Sequence, residues 1–251
     1  MKYLICLISL NFLFSITGLE LATLMEDRSK PLDIKSNSIM ELVKKNGRKK
    51  TLKLINKSKD NSKKQMIWFL EPKDDYGISF LKIEQAKEAD FMNMWLPGFK
   101  KFRRISSQKK SDSFMGSDLS FEDMTNRDLD EYEFEILEDS TTCYESTSEV
   151  CYKLLSKPKY EFSEYSKHIS WVTKNNFLAI KEESYNKKNE KFKIKTLKYE
   201  KIENYFVMNE LFVKNILKNT STLLNIEKIS INNGYSDDLF HSKSLKRIPL
   251  D

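Results

Sequence analysis

The sequence predicts a mainly β protein built on a single curled antiparallel sheet of about eleven strands. Short runs in which apolar and polar residues alternate recur at spacings of roughly 10–20 residues, and Lys-, Asn- and Ser-rich turns separate them. Helical crossovers long enough to join parallel strands are not evident, so neighbouring strands should pair antiparallel. Because about eleven strands in one domain are too many for a flat sheet, the sheet should curl and enclose a concave side.

The N-terminus has the pattern of a secretory signal peptide. A basic residue and a short apolar run that ends at Ile16 are followed by the small residues of Thr17-Gly18. We predict cleavage after Gly18, so that residues 1–18 are the signal peptide and residues 19–251 form one exported domain. Cys6 lies inside the apolar run and is therefore a poor lipidation site.

The first part of the exported chain is predicted to contain one helix and five strands. The helix covers Leu19–Arg28, where apolar residues recur at helical spacing, and Pro31 ends it. Asn46-Gly47 lies between two alternating runs, which is the strongest short-range hairpin signal. The predicted strands are Ile39–Val43, Thr51–Ile55, Met66–Leu70, Ile78–Ile83 and Phe91–Leu96.

Two of these strands carry apolar side chains on both faces. The pattern fits a sheet that is buried on both sides by ordinary packing, and it also fits a sheet that lines a cavity for an apolar ligand on one face. The sequence leaves both interpretations open. The candidates for the cavity wall are Trp68, Met92, Met94 and Trp95, and methionine in particular adapts to ligands of variable shape.

The stretch from Trp95 to Met124 is the most unevenly composed part of the chain. An apolar knot, a basic run, Phe114-Met115-Gly116 and an acidic end follow one another, which is typical of a functional loop, although a strand, a solvated basic turn and a short capped helix also account for it. We expect Gly116 to let the chain turn Phe114-Met115 sharply toward the apolar interior or a partner. Asp118 or Ser120 is expected to cap a helix.

The basic run of this stretch has two functional interpretations. Arg103 and Arg104 point to opposite faces if the segment is extended, so one of them would lie at the cavity mouth and bind a phosphate, a carboxylate or a carbonyl of the lid. Alternatively, Lys100–Lys110 forms a patch for anionic head groups or an acidic partner. A solvated turn explains the same residues without any function.

Alternation resumes after this stretch and continues to the C-terminal region. In Tyr132–Ile136 apolar residues alternate with glutamates, as in a half-buried strand. The further predicted strands are Val150–Leu155, Ile169–Thr173, Phe177–Glu182, Phe192–Thr196, Tyr205–Met208 and Leu223–Ile231. Cys143 and Cys151 lie eight positions apart in an exported chain and are expected to form a disulfide, with two free thiols as the alternative.

The sequence argues against an enzyme. His168 and His241 lie in no nucleophile motif, and we expect both at the surface or at a sheet edge. The chain has only six glycines and no Gly-rich phosphate loop, Gly-x-Ser-x-Gly elbow or His-Glu-x-x-His helix. No cofactor and no metal site are expected. The formal net charge of +6 is interspersed with acidic residues, so nucleic-acid binding is not expected either.

The hexapeptide Ser113–Asp118 is the most specific pattern of the chain. Together with Trp95-Leu96-Pro97, Arg103–Ser107 and Phe121-Glu122-Asp123 it closely resembles the central signature of bacterial outer membrane lipoprotein-sorting proteins, the LolA/LolB-like periplasmic carriers. The resemblance covers nearly the whole exported chain. It implies an unclosed β-barrel, lidded by short α-helices, whose apolar cavity holds acyl chains.

The resemblance also implies a function. We expect a monomeric periplasmic carrier that binds a lipidated or otherwise apolar cargo, takes it from an inner-membrane lipid exporter and shuttles it between the envelope membranes. The alternative is an exported interaction module that docks to a transporter or envelope partner, and an open apolar hollow of ~300 Å³ or more would favour carrying. The candidate ligand-binding residues are Trp68, Met92, Met94, Trp95, Arg103, Arg104, Phe114, Met115 and Asp118.

Overall fold

A computed structural model describes residues 16–85, 88–143 and 149–249. These residues contain one α-helix and thirteen strands, and the strands form a single antiparallel sheet. The predicted fold class is confirmed, and the predicted number of about eleven strands is too low. The helix is α1 (Gly18–Glu26), and the strands are β1 (Asp33–Val43), β2 (Lys49–Lys59), β3 (Lys64–Glu71), β4 (Ser79–Ile83), β5 (Phe91–Leu96), β6 (Lys101–Ile105), β7 (Tyr132–Thr142), β8 (Val150–Pro158), β9 (Tyr165–Thr173), β10 (Ala179–Asn186), β11 (Lys191–Ile202), β12 (Tyr205–Asn215) and β13 (Thr220–Ile231). No helix in these ranges has the length and apolar composition to cross a membrane.

The sheet consists of two meanders that meet in the middle. Strands β1 to β6 follow one another outward on one side, strands β13 to β7 follow one another outward on the other, and β1 pairs with β13. The edges β6 and β7 do not pair with each other, so the sheet is unclosed. Residues 106–131, here called the connecting segment, link these two edges.

Strand β6 is the element that the sequence pattern missed. It pairs with β5, with Arg103 opposite Met94, but four of its five residues are exposed and three are basic. Charged side chains on an edge strand discourage pairing with another chain, and they also remove the apolar alternation by which a strand is recognised. The basic run therefore looks like a turn in the sequence.

The predicted N-terminal helix and first hairpin are confirmed. In the uncleaved chain Thr17 caps α1: its hydroxyl accepts from the Glu20 amide, and the Glu20 carboxylate accepts from the Thr17 amide. Cleavage after Gly18 would remove this cap. Gly47, with φ +79°, forms the turn between β1 and β2. Most of the predicted signal peptide, residues 1–15, lies outside the described residues.

The sheet is buried on both faces over strands β2 to β5. On the face here called outer, residues 235–248 cover a core around Trp68, Met66 and Leu81. This C-terminal cover is fixed in place by Asp33, whose carboxylate accepts from three successive amides at residues 233–235. The opposite, inner face packs against the connecting segment and α1.

The inner face is covered by less helix than predicted. Helix α1 packs on β7 to β9 through Leu21 and Ala22, which contact Leu154 and Val172. The rest of the cover is the connecting segment, which is irregular. The helix predicted after Asp118 is a single 3-10 turn at Glu122–Met124, so short α-helices do not form the lid as expected.

The predicted disulfide is confirmed between Cys143 and Cys151, whose Cα atoms are 5.2 Å apart. It joins the ends of β7 and β8, and β7 is an edge strand that pairs on one side only.

Replacing both cysteines by serine is expected to lower the free energy of unfolding by roughly 2–3 kcal/mol, because the bridge restricts a short loop of the unfolded chain. Urea denaturation of the variant and the oxidised parent measures the difference. Equal stability of the two proteins would show that the bridge adds nothing to the hydrogen-bonded pairing of β7 and β8.

Candidate functional site

An apolar cavity of about 360 Å³ lies between the inner face of the sheet and the connecting segment. The strands that line it are mostly those at the centre of the sheet, where the two meanders meet. The apolar side chains that line it are Pro31, Leu32, Ile34, Met40, Leu54, Ile67, Phe114, Leu119, Met124, Phe206, Val207, Met208, Leu211, Leu224 and Ile226.

Phe114 enters this core from a tight turn of the connecting segment. The Ser117 amide donates to the Phe114 carbonyl over 3.0 Å, and the two central residues of the turn, Met115 and Gly116, have φ +53° and +78°. A Cβ on Gly116 would meet no atom within 4 Å, so glycine is needed there for its backbone conformation. The expected sharp turn at Gly116 toward the interior is confirmed.

The Phe114 ring is fully buried and organises an aromatic cluster. Its centroid lies 5.3 Å from that of Phe80, 5.6 Å from that of Phe121 and 5.9 Å from that of Phe69. Tilted and edge-to-face pairs at these distances are favourable. Phe114 therefore fastens the connecting segment to β3 and β4 and also forms part of the cavity wall.

Asp118 fixes the other side of the same turn. Its carboxylate accepts from the hydroxyls of Thr220 and Thr222 on β13, and its amide donates to the Thr222 hydroxyl over 2.9 Å. Asp118 does not cap a helix, as had been expected. Ser120 does not cap a helix either, since the residue before the 3-10 turn is Phe121. The Ser120 hydroxyl accepts from the Asp123 amide, and the Ser120 amide donates to the Asp123 carboxylate.

The other predicted site residues do not line the apolar cavity. Met92 and Met94 are on the inner face, but they are buried behind Phe114 in the core. Trp68 and Trp95 are on the outer face, beneath the C-terminal cover. Met115 packs against the inner core without reaching the cavity wall.

Neither arginine of the signature lies at the cavity. Arg103 forms an exposed ion pair with Asp112 at 3.2 Å. The Arg104 guanidinium lies 4.0 Å from the centre of the Phe91 ring and donates to the Asp90 carbonyl. The two side chains contact different residues, but both lie at the β6 edge of the sheet. Their role in cargo binding remains a prediction.

A second cavity, of about 340 Å³, lies beside the apolar one and is more polar. It lies between α1, the connecting segment and strands β7 to β11, and the two cavities share lining residues. The shared residues are Arg28, Lys30, Asn61, Asp123, Thr125 and Asn126.

Buried charges surround this polar cavity in what we call the inner ionic cluster, made of Asp123, Arg127, His168, Glu182, Lys193 and Lys195. The Lys195 ammonium contacts Asp123 at 2.5 Å and Glu182 at 3.1 Å. Lys193 contacts Asp123 at 3.1 Å. The Arg127 guanidinium donates two parallel hydrogen bonds to Glu182, at 2.6 and 2.9 Å. The cluster thus ties the connecting segment to β10 and β11.

The pKa values within the cluster follow from these contacts. Burial raises the pKa of Asp123, but Lys195 and Lys193 lower it more, so it falls well below its usual range. In the same way burial raises the pKa of Glu182, and Arg127 and Lys195 take it below its usual range. Both carboxylates are therefore ionised and fully engaged at neutral pH.

The cluster corrects the expectation for His168 and shows what sequence analysis missed. His168 is only 1% exposed, and it is not a surface or edge residue. Its polar neighbours also alternate along their strands, as in His168 and Ser170, Glu182 and Ser184, and Lys193 and Lys195. Such alternation usually indicates a face exposed to solvent, so the sequence pattern predicted that these residues face water.

Comparison with known proteins agrees with this architecture. A protein-family profile described as "Uncharacterized protein" matches residues 61–247, and the comparison with curated proteins gives no match. A solved structure described as an outer membrane lipoprotein-sorting protein domain, from Vibrio parahaemolyticus, has 27% identity and a TM-score of 0.85 over 92% of this chain and 98% of that chain. A DUF1329 family protein from Desulfovibrio piger has 28% identity and a TM-score of 0.83 over 91% and 97%.

A LolA superfamily protein from Nitrosomonas europaea shares the fold, with 15% identity and a TM-score of 0.73 over 91% of this chain and 99% of that chain. These TM-scores show that the antiparallel sheet of the described residues has the same fold as all three solved structures. The chain belongs to the family of uncharacterized proteins whose profile matches residues 61–247, and in sequence and fold it is similar to the lipoprotein-sorting protein domain and the DUF1329 family protein.

Proposed function

We propose that the protein is a periplasmic carrier that holds a lipidated or otherwise apolar cargo in its inner apolar cavity and moves it between the envelope membranes. The observation that carries this proposal is the cavity of about 360 Å³ that the chain's own side chains leave open beneath the connecting segment. A sheet that served only as a docking scaffold would gain stability by filling this space.

The wall of the cavity suits cargo of variable shape. Met40, Met124 and Met208 line it together with aliphatic and aromatic residues. Methionine side chains rearrange at low cost around different apolar surfaces. Each methylene group that leaves water for such a wall gains ~0.8 kcal/mol, so an acyl chain crossing an aqueous compartment is strongly held.

The connecting segment is placed to act as the cover of the cavity. Phe114 and Leu119 hold it down on one side, and Asp118 with the inner ionic cluster holds it on the other. Cargo that enters between α1 and the connecting segment would displace neither anchor. An inner-membrane lipid exporter is the partner we propose as the donor.

Protein that is expressed with its own N-terminus and purified without detergent is expected to carry lipid, which mass spectrometry of an organic extract would detect. Leu211→Trp places an indole in the cavity and should reduce the lipid recovered per mole of protein. Leu217→Trp is the matched control, because Leu217 is 60% exposed in the turn between β12 and β13. The mass of the same purified protein gives its mature N-terminus and tests the export signal.

An extract without lipid, together with no binding of fluorescent fatty acids, would contradict the carrier. Docking through β6 would then be the better interpretation, since Phe99 is 76% exposed beside the exposed basic residues of that edge. In the carrier the same edge is available for contact with the exporter.

A further inference from the structure

The two inner cavities are adjacent and share part of their walls. The apolar cavity of about 360 Å³ and the polar cavity of about 340 Å³ meet where α1 ends and the connecting segment crosses it. Arg28 and Lys30, both half-buried, line both cavities at this junction. A ligand that filled both cavities would have to be apolar at one end and polar at the other.

Most of the carboxylates around the polar cavity are already engaged by the protein. The exception is Glu26, which lines the cavity at the end of α1 and is exposed. Asp123 and Glu182 are neutralised within the inner ionic cluster. Glu122 accepts from Tyr160, Ser163 and the amide of residue 164. The engaged acidic groups therefore offer little to attract a cationic ligand into the cavity.

The two cations at the junction are not engaged in the same way. The Arg28 Nε donates to the Met25 carbonyl over 3.2 Å, and the Lys30 ammonium donates to the Glu26 carbonyl, so both contact the end of α1. Neither has a carboxylate oxygen within 4 Å in the described part of the chain. Arginine has five N–H donors, and most of those of Arg28 remain available to a ligand.

Burial and mutual repulsion make these charges costly without an anion. Burial lowers the pKa of Arg28. Burial and then the charge of Arg28 lower the pKa of Lys30, and the attraction of Glu26 and Asp27 does not compensate. An anionic group between the two side chains would offset both effects through charge-assisted hydrogen bonds.

A histidine in the polar cavity gives an independent sign of a missing ligand. His168 lines this cavity, and its Nε2 is buried without a hydrogen-bond partner among the described residues. Its Nδ1 lies 2.9 Å from the Ser184 hydroxyl, which in turn donates to Glu182. Nδ1 is thereby the donor, which leaves Nε2 as an acceptor for a hydroxyl or amide of a head group.

We propose that the polar cavity is the head-group pocket of an anionic amphiphile, and that Arg28 and Lys30 bind its phosphate or carboxylate while its acyl chains lie in the apolar cavity. This inference rests on the proposed carrier function and specifies its cargo class. It assigns selectivity for the head group to the junction of α1 with the connecting segment, away from the signature arginines at the β6 edge.

Paired probes with identical fluorescent chains test the proposal. Phosphatidic acid is compared with diacylglycerol, and a fatty acid is compared with its methyl ester, so that within each pair only the anionic group differs. The unaltered protein should bind the anionic member of at least one pair about tenfold or more tightly, as expected for a charge-assisted contact. The pair that shows the preference identifies phosphate or carboxylate as the group bound.

Variants locate the preference. The double variant Arg28→Gln, Lys30→Gln should lose the preference for the anionic probe and bind the neutral probe as before. The charge-conserving double variant Arg28→Lys, Lys30→Arg should keep the preference. Lys45→Gln with Arg48→Gln, in the exposed turn between β1 and β2, is the matched control for the loss of two charges. Thermal melting of each variant verifies that it is folded.

Two outcomes overturn the inference, and they differ from failure of the carrier. Equal affinity for both members of each pair, or a preference that persists in the double variant, contradicts the head-group pocket and leaves the carrier in place. If the unaltered protein binds none of the four probes and its organic extract contains no lipid, both proposals are wrong.

Discussion

Asp123→Asn is expected to lower the free energy of unfolding by about 3–5 kcal/mol, the usual cost of removing one partner from a buried ion pair. The Asp123 side chain is 2% exposed and neutralises two lysines that are themselves buried. Asparagine has nearly the same shape, so the loss comes from the uncompensated charges of Lys193 and Lys195. The Tyr165 hydroxyl, which donates to Asp123 over 2.8 Å, loses a charged acceptor as well.

Equilibrium urea denaturation of the variant, at neutral pH, measures this effect. Asp112→Asn is the matched control, since it makes the same change in the same connecting segment at an exposed pair with Arg103, where the expected loss is below about 1 kcal/mol. Equal losses at the two positions would show that the inner ionic cluster does not hold the connecting segment to the sheet.

Most of the sheet could be predicted from the sequence because half-buried strands repeat at period two. Two turns could also be predicted, because each requires a glycine with positive φ. These are the first hairpin, at Asn46-Gly47, and the turn at Gly116 that inserts Phe114. Strand β6 was missed because the edge is charged. These outcomes depend on neighbours along the chain, which a sequence displays directly.

The candidate site was harder to predict because it depends on which face of the sheet is inner. Because side chains alternate along a strand, the sequence shows that Met66 and Trp68 of β3 lie on the same face of the sheet, as do Met92 and Met94 of β5. It does not show whether these two pairs lie on the same face, or which face the connecting segment covers. The predicted set therefore combined outer tryptophans with inner methionines. Only Phe114 of that set lines the apolar cavity.

The inner ionic cluster was missed for a different physical reason. Asp123 is separated by 70 positions from Lys193 and by 72 from Lys195, so their pairing is a property of the tertiary fold. Polar residues that alternate along a strand have the same pattern whether they face water or a buried set of opposite charges. The proposed role of Arg28 and Lys30 likewise could not be predicted from the sequence, because it depends on the two cavities that they line.

Acidification from pH 7 to pH 5 is expected to reduce the stability of the protein by about 2 kcal/mol through His168 alone. Burial and then the nearby charge of Arg127 lower the pKa of His168 to about 4, because the opposing attraction of Glu182 is weaker. In the unfolded chain the imidazole has its ordinary pKa near 6.5. Between these two values the unfolded chain binds a proton that the native protein does not, so stability falls as the pH falls.

The carboxylates of the cluster act in a lower range. The pKa values of Asp123 and Glu182 lie below their ordinary values in the folded protein, so their contribution is present above about pH 4.5 and is lost at lower pH. Measurements between pH 7 and pH 5 therefore isolate the histidine. The charged groups around it, Arg127, Lys195 and Glu182, keep their charges throughout this window.

His168→Gln removes the titrating group and should flatten the dependence of unfolding free energy on pH between 7 and 5, whatever its effect at pH 7. His241→Gln is the matched control, because His241 is an exposed residue of the C-terminal cover and lies outside the cluster. Urea denaturation at several pH values gives both slopes. An unchanged slope in His168→Gln would show that folding does not lower the pKa of the imidazole. His168 would then take up a proton between pH 7 and pH 5, and Nε2 would cease to be an acceptor in that range.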